Sequence, residues 1–117
     1  MKLARLTLML TMLPFAPALV TAADLSGNWT IDGDVQGNPV SLTCALQQGA
    51  DARIAGKCQV NGAEAAEIEG AAKDASFKFS FTVQGYTLTY TGTTEGNSMT
   101  GDIEVAGANG KFSGKRS

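Results

Sequence analysis

With 117 residues, eleven acidic and nine basic side chains and a formal net charge of −2, the chain is long enough for one small domain. It contains no histidine, which excludes a Ser-His-Asp triad, a Cys-His pair and an imidazole metal site. The acidic balance disfavours nucleic acid or anionic lipid as a partner.

Met1–Arg5 is short and basic, Leu6–Val20 is an apolar run broken by Pro14 and Pro17, and the small residues Thr21-Ala22-Ala23 follow. That three-part layout is the one a secretory signal peptide has. A membrane-spanning helix would need about 20 uninterrupted apolar residues, which the two prolines oppose. Cleavage is expected after Ala22 or Ala23, and no Cys lies near that point to take a lipid. The expected domains are therefore a signal peptide, 1–23, and one mature domain, 24–117, periplasmic or secreted. The mature domain has 94 residues, seven basic and eleven acidic, for a net charge of −4. In an exported chain the two cysteines, Cys44 and Cys58, read as a disulfide.

Strand A is expected over Gly27–Asp32, with Trp29 and Ile31 on its apolar side, and a turn-rich stretch follows from Gly33 to Asn38. Strand B runs Val40–Gln47 with Val40, Leu42, Cys44 and Leu46 inward, and strand C puts Ile54, Gly56, Cys58 and Val60 on one face. Folding B on C about residue 51 sets Cys44 opposite Cys58, which suits a cross-strand bridge in the closer type of antiparallel pair. Strand D presents Ala66, Ile68 and Gly70 inward, although Ala and Glu across 63–72 also favour a helix. A strand is preferred there because a short segment between hairpins closes more easily as a meander.

Ser76–Val83, Gln84-Gly85 and Tyr86–Thr91 form the strongest pattern: two alternating runs around a two-residue turn. Pairing through that turn sets Val83 against Tyr86, Phe81 against Leu88 and Phe79 against Tyr90, all on one face. Strand G follows Thr94–Asn97 with Met99, Gly101, Ile103 and Val105 inward, and strand H is Lys111–Arg116 with Phe112, Gly114 and Arg116 inward. The implied register faces Tyr90 with Gly101 and Phe77 with Gly92. Inward glycines recur after a large apolar residue, as in Ile54-Ala55-Gly56 and Met99-Thr100-Gly101, and let a sheet bend sharply. Eight short strands with tight turns predict an all-β, eight-stranded antiparallel up-and-down barrel. A membrane barrel needs its apolar face outward; here the large apolar set fills a single, inner face, so no membrane insertion is expected.

Gly27-Asn28-Trp29 resembles the G-x-W signature of lipocalin-like (calycin-like) barrels, and the segments Tyr90–Gly101 and Phe112–Arg116 resemble the closing half of small exported bacterial domains of that kind. The resemblance implies that Gly27, Trp29 and Arg116 form a structural clasp, with Trp29 closing one barrel end under the guanidinium. At 94 mature residues the chain is shorter than a full lipocalin, and one tryptophan makes avidin-like biotin binding unexpected. Leu25–Trp29 is also similar to the first strand of periplasmic metalloprotease inhibitors, small barrels with one disulfide that insert an N-terminal segment into the protease.

Asp32-Gly33-Asp34-Val35-Gln36-Gly37 begins like a calcium loop, but its twelfth position is Thr43 where a bidentate Glu is needed, so a hairpin turn is the better reading. The carboxylate pairs Glu67/Glu69 and Asp102/Glu104 face outward by parity, as a solvated acidic face does. The sequon Asn28-Trp29-Thr30 lies inside a strand of a bacterial-looking chain and is discounted. No catalytic group, cofactor or metal is expected, and the protein is expected to be a monomer and not an enzyme.

Two functions remain open. One is a calycin-like module for a small apolar ligand, with Phe79, Phe81, Tyr86, Tyr90 and Met99 as candidate lining. The two tyrosines read more readily as core aromatics with a hydroxyl at the rim. The other is a filled scaffold that binds an envelope protein through its surface or a mobile N-terminal arm, residues 24–28. The many inward rings compete for a narrow interior, so a filled or nearly filled barrel is expected.

Overall fold

A computed structural model of the chain describes residues 24–63 and 65–117. The predicted signal peptide lies outside the described residues. Eight strands follow one another: β1 Gly27–Val35, β2 Asn38–Gln48, β3 Arg53–Val60, β4 Ala65–Lys73, β5 Ser76–Val83, β6 Tyr86–Glu95, β7 Ser98–Val105 and β8 Ala108–Arg116. Each pairs antiparallel with the next, and β8 returns to β1, giving a closed up-and-down barrel compatible with a calycin-like fold.

Alternation drives the closure. Inward positions such as Ile31, Leu42, Cys44, Ile68, Phe79 and Ile103 are buried, whereas their neighbours in sequence are exposed. Three connections at one end are X-Gly pairs with both central residues at positive φ: Gln36-Gly37, Gln84-Gly85 and Ala106-Gly107. Asn61-Gly62, in the longer β3–β4 connection at that end, has the same signs. This is the mirror-image turn whose twist matches that of paired strands.

In the stretch where a helix is the alternative, Ala65–Lys73 forms a strand. Intrinsic preference loses because β4 gains ladder partners on both sides and buries Ile68 and Ala72. The β4–β5 ladder runs only from Glu69↔Ser80 to Lys73↔Ser76, although β4 begins at Ala65 and β5 runs on to Val83. The two strands therefore part at one end, beside a gap of about 250 Å³ lined by Ala63, Ala65, Ala66, Thr82, Val83 and Gln84.

The disulfide joins Cys44 and Cys58, directly paired with Cα atoms 4.0 Å apart. In the chain-entropy model a loop of this length stabilises the fold by about 3 kcal/mol. Phe77 faces Gly92 as expected, but Tyr90 pairs with Ile103, and Gly101 with Gly92. The β6–β7 turn is the two-residue Gly96-Asn97, centred one position later than the expected four-residue turn. Moving a turn centre by one residue shifts the register by two, which preserves parity and changes every partner. A side chain at Gly101 would collide with Thr91 O and the Gly92 backbone, so these two strands approach closely only because both positions are glycine.

Five rings fill the middle. Tyr90 is the hub, its centroid 5.2 Å from Phe79, 5.8 Å from Phe81 and 4.9 Å from Phe112, and Phe77 stacks on Phe79 at 5.8 Å.

Candidate functional site

The two barrel ends are built differently. At the end holding the chain termini, Trp29 is fully buried and its Nε1–H donates to Leu25 O at 2.9 Å. The Arg116 Cζ lies 4.6 Å from the Trp29 ring centroid. The guanidinium also donates to Ser26 O at 2.6 Å, Asp24 O at 2.9 Å and Asn97 Oδ1 at 3.0 Å. Gly27 has φ +129°, and a Cβ there would sit 3.2 Å from Arg116 Cδ, so glycine makes room for the arginine stem. Gln48 Oε1 accepts from Leu25 N at 2.9 Å, and Ser26 Oγ accepts from Gln48 N at 3.1 Å. Leu25 is fully buried by these contacts. Of the stretch 24–28 expected as an arm, Leu25 is seated in the barrel end as a plug with side-chain partners for its backbone, and Gly27 and Asn28 belong to β1.

Asp24 Oδ1 accepts from Ser26 N at 2.9 Å. That bond, a further one from the Ser26 side chain and the charge of Arg116 hold the Asp24 carboxyl below its ordinary range, burial opposing them weakly.

The opposite end has no such plug among the described residues. Val40, Val60, Ala66, Val83, Val105 and Ala108 form a ring of half-buried apolar side chains. Within it lies a cup of about 350 Å³. Its walls are Val35, Val40, Val83, Leu88, Val105 and Ala108, and its rim is Tyr86 with the amides of Gln36, Asn38 and Gln84. Tyr86 is 58 % exposed, so the hairpin face expected to be wholly inward turns to solvent at its last rung. The reason is position: Tyr86 is the first residue after the turn, where no facing strand covers it.

Phe79, Phe81, Tyr90 and Met99 are buried in the packed interior below the cup, so Tyr86 alone among the five candidate lining residues reaches it. Sequence reasoning missed Val35, which it placed in the turn-rich stretch Gly33–Asn38, and Ala108, which it left outside strand H. Alternation that runs right up to each X-Gly pair was the available signal. Tyr90 Oη is buried without a hydrogen-bond partner, and burial pushes its phenol above the ordinary value.

Larger depressions of about 550 and 500 Å³ lie on the outer wall, over Thr91, Thr100 and Lys111 and over Thr30, Thr100 and Ser113. Their side chains are polar and exposed, and Lys111 Nζ is satisfied by Asp102 Oδ1 at 2.7 Å. The second presents mostly apolar surface, as the cup does; what sets the cup apart is its place within the ring of half-buried apolar side chains at the barrel end. Asp34 Oδ1 accepts from Gly37 N and Asp32 Oδ1 from Ser41 Oγ, so both acids of the calcium-like stretch serve the hairpin. No cluster suited to a metal ion occurs among the described residues.

Comparison of the chain with family models, with curated proteins and with solved structures returned no match.

Proposed function

We propose that the protein is a non-enzymatic, exported, calycin-like barrel that binds a small apolar molecule in the cup at its open end. The observation that carries this reading is the asymmetry of the barrel: one end is plugged by Leu25, Trp29 and Arg116, while the other keeps a concave apolar ring. Ligand sites are concave, mostly apolar and equipped with a few polar groups, in the range of roughly 300–1,000 Å³. The cup, at about 350 Å³, stands at the small end of that range.

The probe 1-naphthylamine, neutral at pH 7.5 and small enough for the cup, tests the proposal. Saturable one-to-one binding is expected, and Ala108→Trp, which fills the cup from a half-buried position, should weaken it at least tenfold with an unchanged circular dichroism spectrum. Non-saturable binding, or binding indifferent to Ala108→Trp, would overturn it.

A scaffold that docks a protein is the second reading, favoured by the exposed ring of Tyr86, since tyrosine anchors many interfaces. The burial of Leu25 speaks against an N-terminal arm as its means of docking. A mouth about one barrel wide is also small for the roughly 800 Å² that a stable partner covers.

A further inference from the structure

We infer that the molecule held in the cup is uncharged: an apolar body of about a dozen non-hydrogen atoms bearing one neutral hydrogen-bonding group, such as a hydroxyl or a carbonyl. This rests on the reading of the cup as a ligand site. The size follows from a cup of about 350 Å³, with each atom taking roughly the 30 Å³ that a water fills in the liquid.

The charge follows from the lining. Among the described residues, none that lines the cup is ionisable near neutral pH. An ion seated there would lose water and meet no opposite charge, which apolar surroundings penalise heavily. The neighbouring charged groups face the outer wall: Asp34 accepts from the Gly37 amide, Lys111 pairs with Asp102, and Glu104, beside Val105, is exposed. Seven basic residues against eleven acidic ones from 24 to 117 add a general field that repels anions.

What the rim does supply is amide groups. Gln36 and Gln84 stand on the two turns flanking the cup, and Asn38 uses Nδ2 on Val35 O at 3.2 Å, which aligns its carbonyl oxygen as an acceptor. An amide offers donors and an acceptor without a charge, so it pairs with a hydroxyl or carbonyl at no ionic cost. The parted ends of β4 and β5 lie beside the same Val83 and Gln84.

Three eight-carbon molecules separate the possibilities: octan-1-ol, octanoate and octylammonium, each used to displace 1-naphthylamine from the mature chain at pH 7.5, in low salt and in 0.5 M NaCl. The alcohol is expected to displace the probe, and both ions to need at least tenfold higher concentration in either salt. An ion competing within threefold of the alcohol, or better than it, overturns the neutrality while leaving the cup as a ligand site. A chain that binds neither the probe nor the alcohol overturns both readings together. Gln84→Glu supplies an independent check: the affinity for octylammonium relative to that for octan-1-ol should rise at least fivefold. No gain would mean that the ligand's polar end does not meet the Gln84 rim, and would also overturn the inference.

Discussion

The plugged end and the open end are made from the same strands and the same alternation, yet they treat their last rung of side chains oppositely. Around Trp29, every group has a partner: an indole N–H on a backbone carbonyl, a guanidinium on the ring, on the Asn97 side chain and on the carbonyls of Asp24, Ser26 and Gly96, a buried leucine held by a glutamine. Around Tyr86, apolar side chains stop half-buried and the polar ones are neutral amides. Contact density is what stability needs, and unspent apolar surface is what binding needs. The barrel separates the two by length.

Truncation should break this comparison most visibly at the plugged end. Trp29→Ala removes a fully buried ring and the seat of Leu25, and is expected to cost about 3–5 kcal/mol in denaturant unfolding. Arg116→Met keeps the stem and loses the charge and its hydrogen bonds, for a loss of about 1–2 kcal/mol at this partly exposed site. Tyr86→Ala, at the mouth, should stay within about 0.5 kcal/mol of the parent. Equal losses at the two ends would remove the distinction.

A smaller effect sharpens what lies between the ends. The Tyr90 hydroxyl is buried without a partner, so Tyr90→Phe should leave stability unchanged or raise it by up to about 1 kcal/mol at pH 7. Burial raises the phenol above its ordinary value near 10, so the folded state keeps a proton that the unfolded chain releases. The parent should therefore lose stability as pH rises above about 10, by about 1.4 kcal/mol per pH unit, and Tyr90→Phe should lose this dependence. Urea midpoints measured from pH 9 to 11.5 on both proteins check the sign.

Much of this architecture was legible because parity is a local property. The hairpin Ser76–Thr91 states its register through a two-residue turn, and the pairing of Cys44 with Cys58 follows from the turn between their strands. The β6–β7 register was not legible in that way: Thr94–Asn97 reads as a four-residue turn until Thr94 and Glu95 find ladder partners in Met99 and Ser98. Gly27, Trp29 and Arg116 meet because strands β1 and β8 close the sheet, a contact that spans nearly the whole domain and that motif resemblance alone suggested. The cup stayed hidden for a different reason. Its walls are the end residues of several strands, such as Val35 and Ala108, which look like turn residues until each ladder is known to run right up to its hairpin.

Titration with octan-1-ol followed by amide and indole NMR signals tests most directly whether binding belongs to the open end alone. The shifts should concentrate at Val35, Val40, Leu88 and Val105, with the Trp29 Nε1–H signal unmoved. A shifted Trp29 indole beside an unperturbed mouth would contradict the account.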